Sequence, residues 1–299
     1  MHDFLISFLL GIVEGLTEFL PVSSTAHLRL CESLLRIDLH DGFWKMYSVV
    51  IQLGAVLCLP VFFRQRIAKF VSTFPKGERG DRNLLTHPLS LTLVAFVVTA
   101  LPAFALTKVI GKNLESPMVF GLALLVGGIV MWVIDALCRN PRIKHMEEMN
   151  FGHAIWIGAV QILSAVFPGT SRSMSTIAAG QVSGMSRESA LEFSFFLSIP
   201  TMFVATGYEL LKTVMPHHHS ASGTPAISPA GSVSAAPLVV MGHHQWVVLA
   251  IGFVTSFIVA LGVVAWFMHW VKRHGFAPFA IYRILLGIGV LALFLHSGL

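Results

Sequence analysis

In this chain of 299 residues, 55% are hydrophobic and 12% carry a charge, whereas a soluble domain carries about 25% charged residues. That balance excludes a water-soluble fold, and apolar runs of about 17–25 residues without period-2 alternation exclude a transmembrane barrel. The net charge of +5 does not imply nucleic acid, because the basic residues fall between apolar runs, where membrane proteins carry their orientation signal.

The expected class is therefore all-α and integral to a membrane, a single domain over 1–299 with six transmembrane helices plus two re-entrant helical segments arranged as inverted repeats. The first apolar run, 4–20, is broken by Glu14 and Glu18 and stops at Pro21. Asp3 stands where a secretory leader would be basic and no small-residue cleavage site precedes Glu14, so this run is expected to stay in the mature chain. Full spans are expected at 46–63, 89–107, 117–135, 192–211, 246–268 and 278–296. A second short run, 154–167, stops at Pro168. Both short runs read as segments that enter the membrane and turn back. Residues 216–243, rich in Ser, Ala, Pro, Gly and His, read as a mobile external loop, with His217, His218 and His219 solvated rather than metal-bound. Cys31, Cys58 and Cys138 lie far apart with no CxxC pair and read as packing groups or free thiols.

The most basic stretch, 64–82, carries Arg64, Arg66, Lys69, Lys76, Arg79 and Arg82 and is placed in the cytoplasm. Counting spans from it puts Arg139, Arg142, Lys144, Arg187, Lys272 and Arg273 on the same side. Arg29, Arg36, Lys45, Lys108, Lys112 and Lys212 then lie outside, twelve basic residues against six. Both termini fall outside, the first re-entrant segment enters from outside and the second from the cytoplasm.

An internal echo appears at an offset of 147. Gly11 meets Gly158, Val13 meets Val160, Leu16 meets Leu163, Pro21 meets Pro168 and Ser24 meets Ser171, while Thr17 meets Ser164 and Ser23 meets Thr170. Three full spans follow each copy, and an odd number of crossings turns the second copy upside down. Repeat 1 covers about 1–136 and repeat 2 about 150–299. This plan puts a site near the bilayer midplane, built from broken helices.

The echo also marks the chemistry. Glu14 and Glu18, four residues apart, share a helix face. Carboxylates inside a membrane are costly unless something compensates, such as an arginine or a divalent cation bound by both residues. Oxygen ligands suit Mg²⁺ or Ca²⁺; otherwise one Glu is protonated and merely hydrogen-bonded. After Pro21 come Ser23, Ser24, Thr25 and His27. Hydroxyls at a helix start cap its free N–H groups, and those N–H groups also bind anions. The second copy, "PGTSRSMST", offers the hydroxyls of Thr170, Ser171 and Ser173, with Arg172 able to grip phosphate through two hydrogen bonds. Hydroxyl residues alone are also ordinary packing groups between membrane helices. His27 is a candidate acid or base. Gln52, inside the first span, could hydrogen-bond a site residue. Arg29 and Glu32 read as facing headgroups, and Arg283 reads as snorkelling from the start of the last span.

At these residues "EGLTEFLPVSSTAHL" and "PGTSRSMSTIAAG" resemble the two signature motifs of the bacterial undecaprenyl-diphosphatase family of the bacitracin-resistance type, and "FAIYR" resembles its last span. The resemblance covers nearly the whole chain. It implies six spans, two re-entrant helix pairs and inverted repeats. It also implies removal of the terminal phosphate from undecaprenyl diphosphate in the bacterial cytoplasmic membrane, dependence on a divalent cation, a role in peptidoglycan synthesis, and bacitracin resistance. By motif position, Glu14 and Glu18 would be the acidic pair, Ser24 the nucleophile or its neighbour, His27 its acid or base partner or itself the nucleophile, and Arg172 the phosphate clamp. Ser23, Thr25, Gln52, Thr170, Ser171 and Ser173 would line the substrate. Ala26 and Met174 stand where the family usually has Gly, and Met174 bears on how closely the backbone approaches a diphosphate. The expected partners are a polyprenyl diphosphate and membrane lipids, not nucleic acid, and a homodimer is compatible with the sequence. The pocket is expected to open to the outer, periplasmic side. The rival reading is a transporter or flippase of polyprenyl phosphate, since inverted repeats with broken helices are also a transporter plan.

Overall fold

The computed structural model describes residues 2–37, 41–78, 80–106, 116–214 and 242–297. The expected loop 216–243, except its last two residues, lies outside the described residues, as do Arg79, Lys108 and Lys112. Among the described residues the chain is helical throughout, with no strand beyond one isolated bridge between Ile143 and Met185.

Twelve α-helices follow in order among the described residues. The first six are α1 (His2–Thr17), α2 (Ser24–Leu34), α3 (Gly42–Val56), α4 (Cys58–Phe62), α5 (Arg64–Thr73) and α6 (Pro88–Ala105). The second six are α7 (Pro117–Leu137), α8 (Phe151–Val166), α9 (Arg172–Val182), α10 (Arg187–Val214), α11 (His243–His274) and α12 (Ala277–Ser297). Six stretches are long and apolar enough to cross a membrane: Gly42–Phe62, Pro88–Ala105, Met118–Leu137, Arg187–Tyr208, His243–His274 and Ala277–His296. They fall on the six expected spans. At 32 residues α11 is about 48 Å long, well beyond a hydrocarbon core of about 30 Å. Leu93, Leu101, Phe104, Trp132, Leu285 and Leu293 are exposed on these helices, as a lipid-facing wall requires.

Local chemistry explains where elements start and break. Asp41 accepts from the Phe43 N–H at 2.8 Å to cap α3, and Asn150 caps α8 through the His153 N–H. Pro88 and Pro117 open α6 and α7, where a missing N–H costs nothing. The span read as 46–63 is two helices, because Pro60 cannot bond back to Val56 and the chain breaks at Leu57. The basic stretch 64–82, read as a loop, begins with α5, whose Phe70 is buried edge-on against Phe196 and His87. Beside it Arg66 pairs with both Glu147 and Glu192.

The helices pack in reciprocal pairs. α1 lies along α11 and α8 along α6, while α7 and α12 lie along each other. α1 and α8 have 16 residues each, α2 and α9 have 11 each. Gly11 of α1 sits against the Gly252 carbonyl of α11, and Gly158 of α8 sits against Ala95 of α6. Between α7 and α12 the backbones touch through Gly128 and Gly287. A Cβ on Gly287 would stand 2.7 Å from the Leu125 nitrogen.

Gly287→Leu is expected to push α12 off α7 and cost about 1–3 kcal/mol, a drop of roughly 2–10 °C in melting temperature. A melting curve in detergent checks this, and an unchanged midpoint would show that the contact is not limiting.

Candidate active site

Two turns of the chain meet inside this helical frame. The first, Glu18 to Ser23, joins α1 to α2; the second, Phe167 to Ser171, joins α8 to α9. Each contains a proline, Pro21 or Pro168, and each ends on a serine with positive φ, 75° at Ser23 and 71° at Ser171. Such a backbone costs about 1–3 kcal/mol for a side-chain-bearing residue and persists only where its surroundings demand it. The shared kink corrects the register of the internal echo. The offset of 147 holds through Gly11/Gly158 and Pro21/Pro168. Between its proline and its positive-φ serine the second turn then carries one more residue than the first, accommodated with Gly169 at φ 96°. Ser23 therefore corresponds to Ser171, and Ser24, the first residue of α2, to Arg172, the first residue of α9.

Those two first residues converge on one carboxylate. Ser24 Oγ donates to Glu18 Oε2 at 2.6 Å, and Arg172 Nη2 donates to Glu18 Oε1 at 3.3 Å. Arg172 also donates through Nη1 to the Ser198 hydroxyl and to the Ser194 carbonyl, both on α10. Its Nε is buried without a partner. Phe19, fully buried and edge-on to Phe195 at 5.4 Å, anchors the turn that carries Glu18. Ser173 Oγ donates to the Leu20 carbonyl at 3.0 Å and ties the second helix to the first turn.

Glu14, one helical turn before Glu18, is fully buried, and neither carboxylate oxygen has a hydrogen-bond partner. An orphaned buried carboxylate beside a second one is the donor set a hard cation takes. Among the described residues no group of three or more His, Cys, Asp or Glu side chains gathers to hold an ion. A cation here would need further oxygens from water or a bound anion.

His27 does not meet Ser24. Its Nδ1 lies 2.7 Å from the Ser23 carbonyl, so Nδ1 carries the proton, and its Nε2 lies 2.7 Å from the Tyr282 hydroxyl. The two rings are stacked, with centroids 5.6 Å apart. The expected Ser24–His27 pairing is thus replaced by Ser24–Glu18, because both ring nitrogens are engaged elsewhere. Ser171 caps α9 through the Met174 N–H and lies 3.1 Å from the Ser173 hydroxyl. Ser23 makes no side-chain cap bond, which leaves the first N–H groups of α2 open. Thr25 and Thr170 are half-buried beside these turns. Gln52 is half-buried on α3 and makes no side-chain hydrogen bond to the group.

Three residues of the site, Ser194, Ser198 and Tyr282, escape the sequence reading, and a fourth, Arg283, is read there for another role. Ser194 and Ser198 form a polar i, i+4 stripe on an otherwise apolar span, a signal that was there to use. Tyr282 carries no such signal. Arg283 does not snorkel: it is fully buried and donates to the carbonyls of Pro21, Ala123, Gly169 and Thr170 at 3.0–3.1 Å.

Comparison with known proteins gives a consistent result. Residues 7–289 match the family model described as bacitracin resistance protein BacA. An undecaprenyl-diphosphatase of Koribacter versatilis is 62% identical over 293 residues, 98% of each chain. One of Caldanaerobacter subterraneus subsp. tengcongensis is 40% identical over 97% of this chain and 94% of its own. Undecaprenyl-diphosphatase 2 of Paramagnetospirillum magneticum is 41% identical over 93% of this chain and 94% of its own.

Glu18→Gln is expected to leave the Arg172 guanidinium without its counter-charge and cost about 3–5 kcal/mol. The double change Glu18→Leu with Arg172→Met should recover most of that loss. Thermal unfolding in detergent reads both, and a Glu18→Gln protein as stable as the parent would contradict the ion pair.

Proposed function

The chain belongs to the family described as bacitracin resistance protein BacA, and from that membership we propose how its two turns carry out the reaction. The protein is a multi-pass membrane enzyme that dephosphorylates undecaprenyl diphosphate. Water and the diphosphate give undecaprenyl phosphate, the lipid carrier of peptidoglycan synthesis, and inorganic phosphate; bacitracin resistance fits this activity.

One observation carries the mechanism: a single carboxylate, Glu18, joins a serine hydroxyl to an arginine. In the proposed first step Ser24 Oγ attacks the terminal phosphorus while its proton passes to Glu18. The anhydride P–O bond breaks, and its electron pair leaves with undecaprenyl phosphate. Arg172 turns part of its fork from Glu18 to the non-bridging oxygens of the transferring group. The open N–H groups at the start of α2 receive the same charge. In the second step water displaces Ser24 from phosphorus and frees inorganic phosphate, while Glu18 returns its proton to the leaving Ser24 Oγ. His27 is the proposed base for that water, with Nε2 released from Tyr282. Glu14 and Glu18 would hold Mg²⁺ or Ca²⁺, which when bound neutralises charge on the diphosphate.

The same reading takes α1–α2 and α8–α9 as re-entrant pairs of two inverted repeats, with the site near the midplane of a bacterial cytoplasmic membrane and open to its outer side. The matched helix lengths and reciprocal packing support the repeats; the basic residues between spans support the orientation. The reciprocal packing equally suits a flippase for polyprenyl phosphate, which would need Arg172 but no nucleophile.

Phosphate release from undecaprenyl diphosphate by the purified protein separates the readings. Ser24→Ala and Arg172→Ala are each expected to lower kcat by about 100-fold or more, the loss of roughly 3 kcal/mol of transition-state stabilisation. Transport with undiminished rate in Ser24→Ala, and no release by the parent, would favour the flippase. Glu14→Gln is expected to leave the cation-free protein as stable as the parent or more so, since its carboxylate has no partner to lose. The same change should abolish the rise in melting temperature on adding Mg²⁺ or Ca²⁺. A cation shift retained in Glu14→Gln would remove Glu14 from the cation site.

A further inference from the structure

We infer that Arg283 is a positioning residue that sets the spacing between the two halves of the phosphate site. The inference rests on the reading that Ser24, Glu18 and Arg172 are the reacting group. Arg283 lies in the second turn of α12, and its guanidinium is fully buried. Nη1 donates to the Pro21 carbonyl at 3.1 Å. Nη2 is shared among the carbonyls of Ala123 at 3.1 Å, Gly169 at 3.0 Å and Thr170 at 3.0 Å. Pro21 stands three residues before Ser24, and Gly169 three residues before Arg172. One planar group thus grips the backbone just upstream of each reacting side chain, and holds both turns to α7.

The seat is built for that group. Gly127 of α7 faces it, and a Cβ there would collide with Nη2 and stand 2.8 Å from Met174 Cε. Gly169 is also pressed onto α7, since a Cβ on it would stand 3.0 Å from the Phe120 carbonyl. No carboxylate accepts from Arg283 among the described residues. Stability alone does not call for such a residue: a buried cation held only by carbonyl dipoles is costly, and an apolar side chain would fill the space. What the guanidinium adds is a rigid fork reaching several acceptors in one plane, and a positive charge left unneutralised beside an anion site. A lysine keeps the charge and loses the fork.

The two contributions separate in the kinetics. In the full-length protein, Arg283→Lys is expected to lower kcat for phosphate release at least tenfold with KM within about threefold. Arg283→Met should lower kcat similarly and raise KM about tenfold as well. Arg283→Ala should regain part of its kcat on addition of guanidinium ion but not of methylammonium. A second readout does not depend on activity. With Cys31, Cys58 and Cys138 replaced by Ala, nitroxide labels on cysteines introduced at positions 25 and 170 should give a broader distance distribution in Arg283→Lys than with Arg283 in place. A parent without phosphate release would sink the phosphatase reading, while the label distances would still test the tie. Parental kcat in Arg283→Lys, or an unbroadened distribution, would overturn the inference.

Discussion

The two turns of this structure meet at one shared carboxylate. Glu18 accepts from Ser24 on one oxygen and from Arg172 on the other, and these donors sit 148 residues apart at the heads of two different helices. A carboxylate inside a membrane is costly unless it is compensated. For Glu18 the compensation comes from groups that the proposed phosphoryl transfer would also use: a hydroxyl to activate and a cation to lend to the incoming anion.

Holding that arrangement requires close backbone approach on three fronts. α1 meets α11 through Gly11 and Gly15, α8 meets α6 through Gly158, and α7 meets α12 through Gly128 and Gly287. In lipid, apolar surfaces gain little by meeting each other, so helix association relies on van der Waals contact and interhelical hydrogen bonds. The glycines supply the first. Arg283, Ser173 and Arg172 supply the second, and each of these bonds crosses from one turn or helix to another. The strained serines at positions 23 and 171 are fixed within this frame.

Much of this was legible in the sequence. The six spans follow from apolar runs, and the two short runs from the carboxylates and prolines that interrupt them. Glu18, Ser24 and Arg172 stood out because charge and hydroxyl clusters are expensive in such surroundings. Other features depended on three-dimensional contact. Pattern alone paired Ser24 with His27, three residues away on the same helix. The fold instead turns His27 toward Tyr282, 255 residues downstream, and gives Ser24 to the preceding turn. Arg283 looked like a residue reaching for the headgroups, because its position near a span terminus carries no hint of the carbonyls that two distant turns present to it. The one-residue slip after the prolines was also invisible, since Ser and Thr occur on both sides of it and match at either offset.

That slip has a consequence for how such a site is divided between the halves of a chain. If the two turns had kept the same spacing from proline to serine and the same residues, the paired helix heads would present identical groups. With one extra residue between proline and serine in the second turn, equivalent backbone positions present a hydroxyl on one side and a guanidinium on the other. The scaffold is nearly self-similar while its chemistry is complementary. Neither half holds both the hydroxyl and the guanidinium, and a copy of either half paired with itself would face hydroxyl with hydroxyl or cation with cation. The two halves are therefore bound to change together.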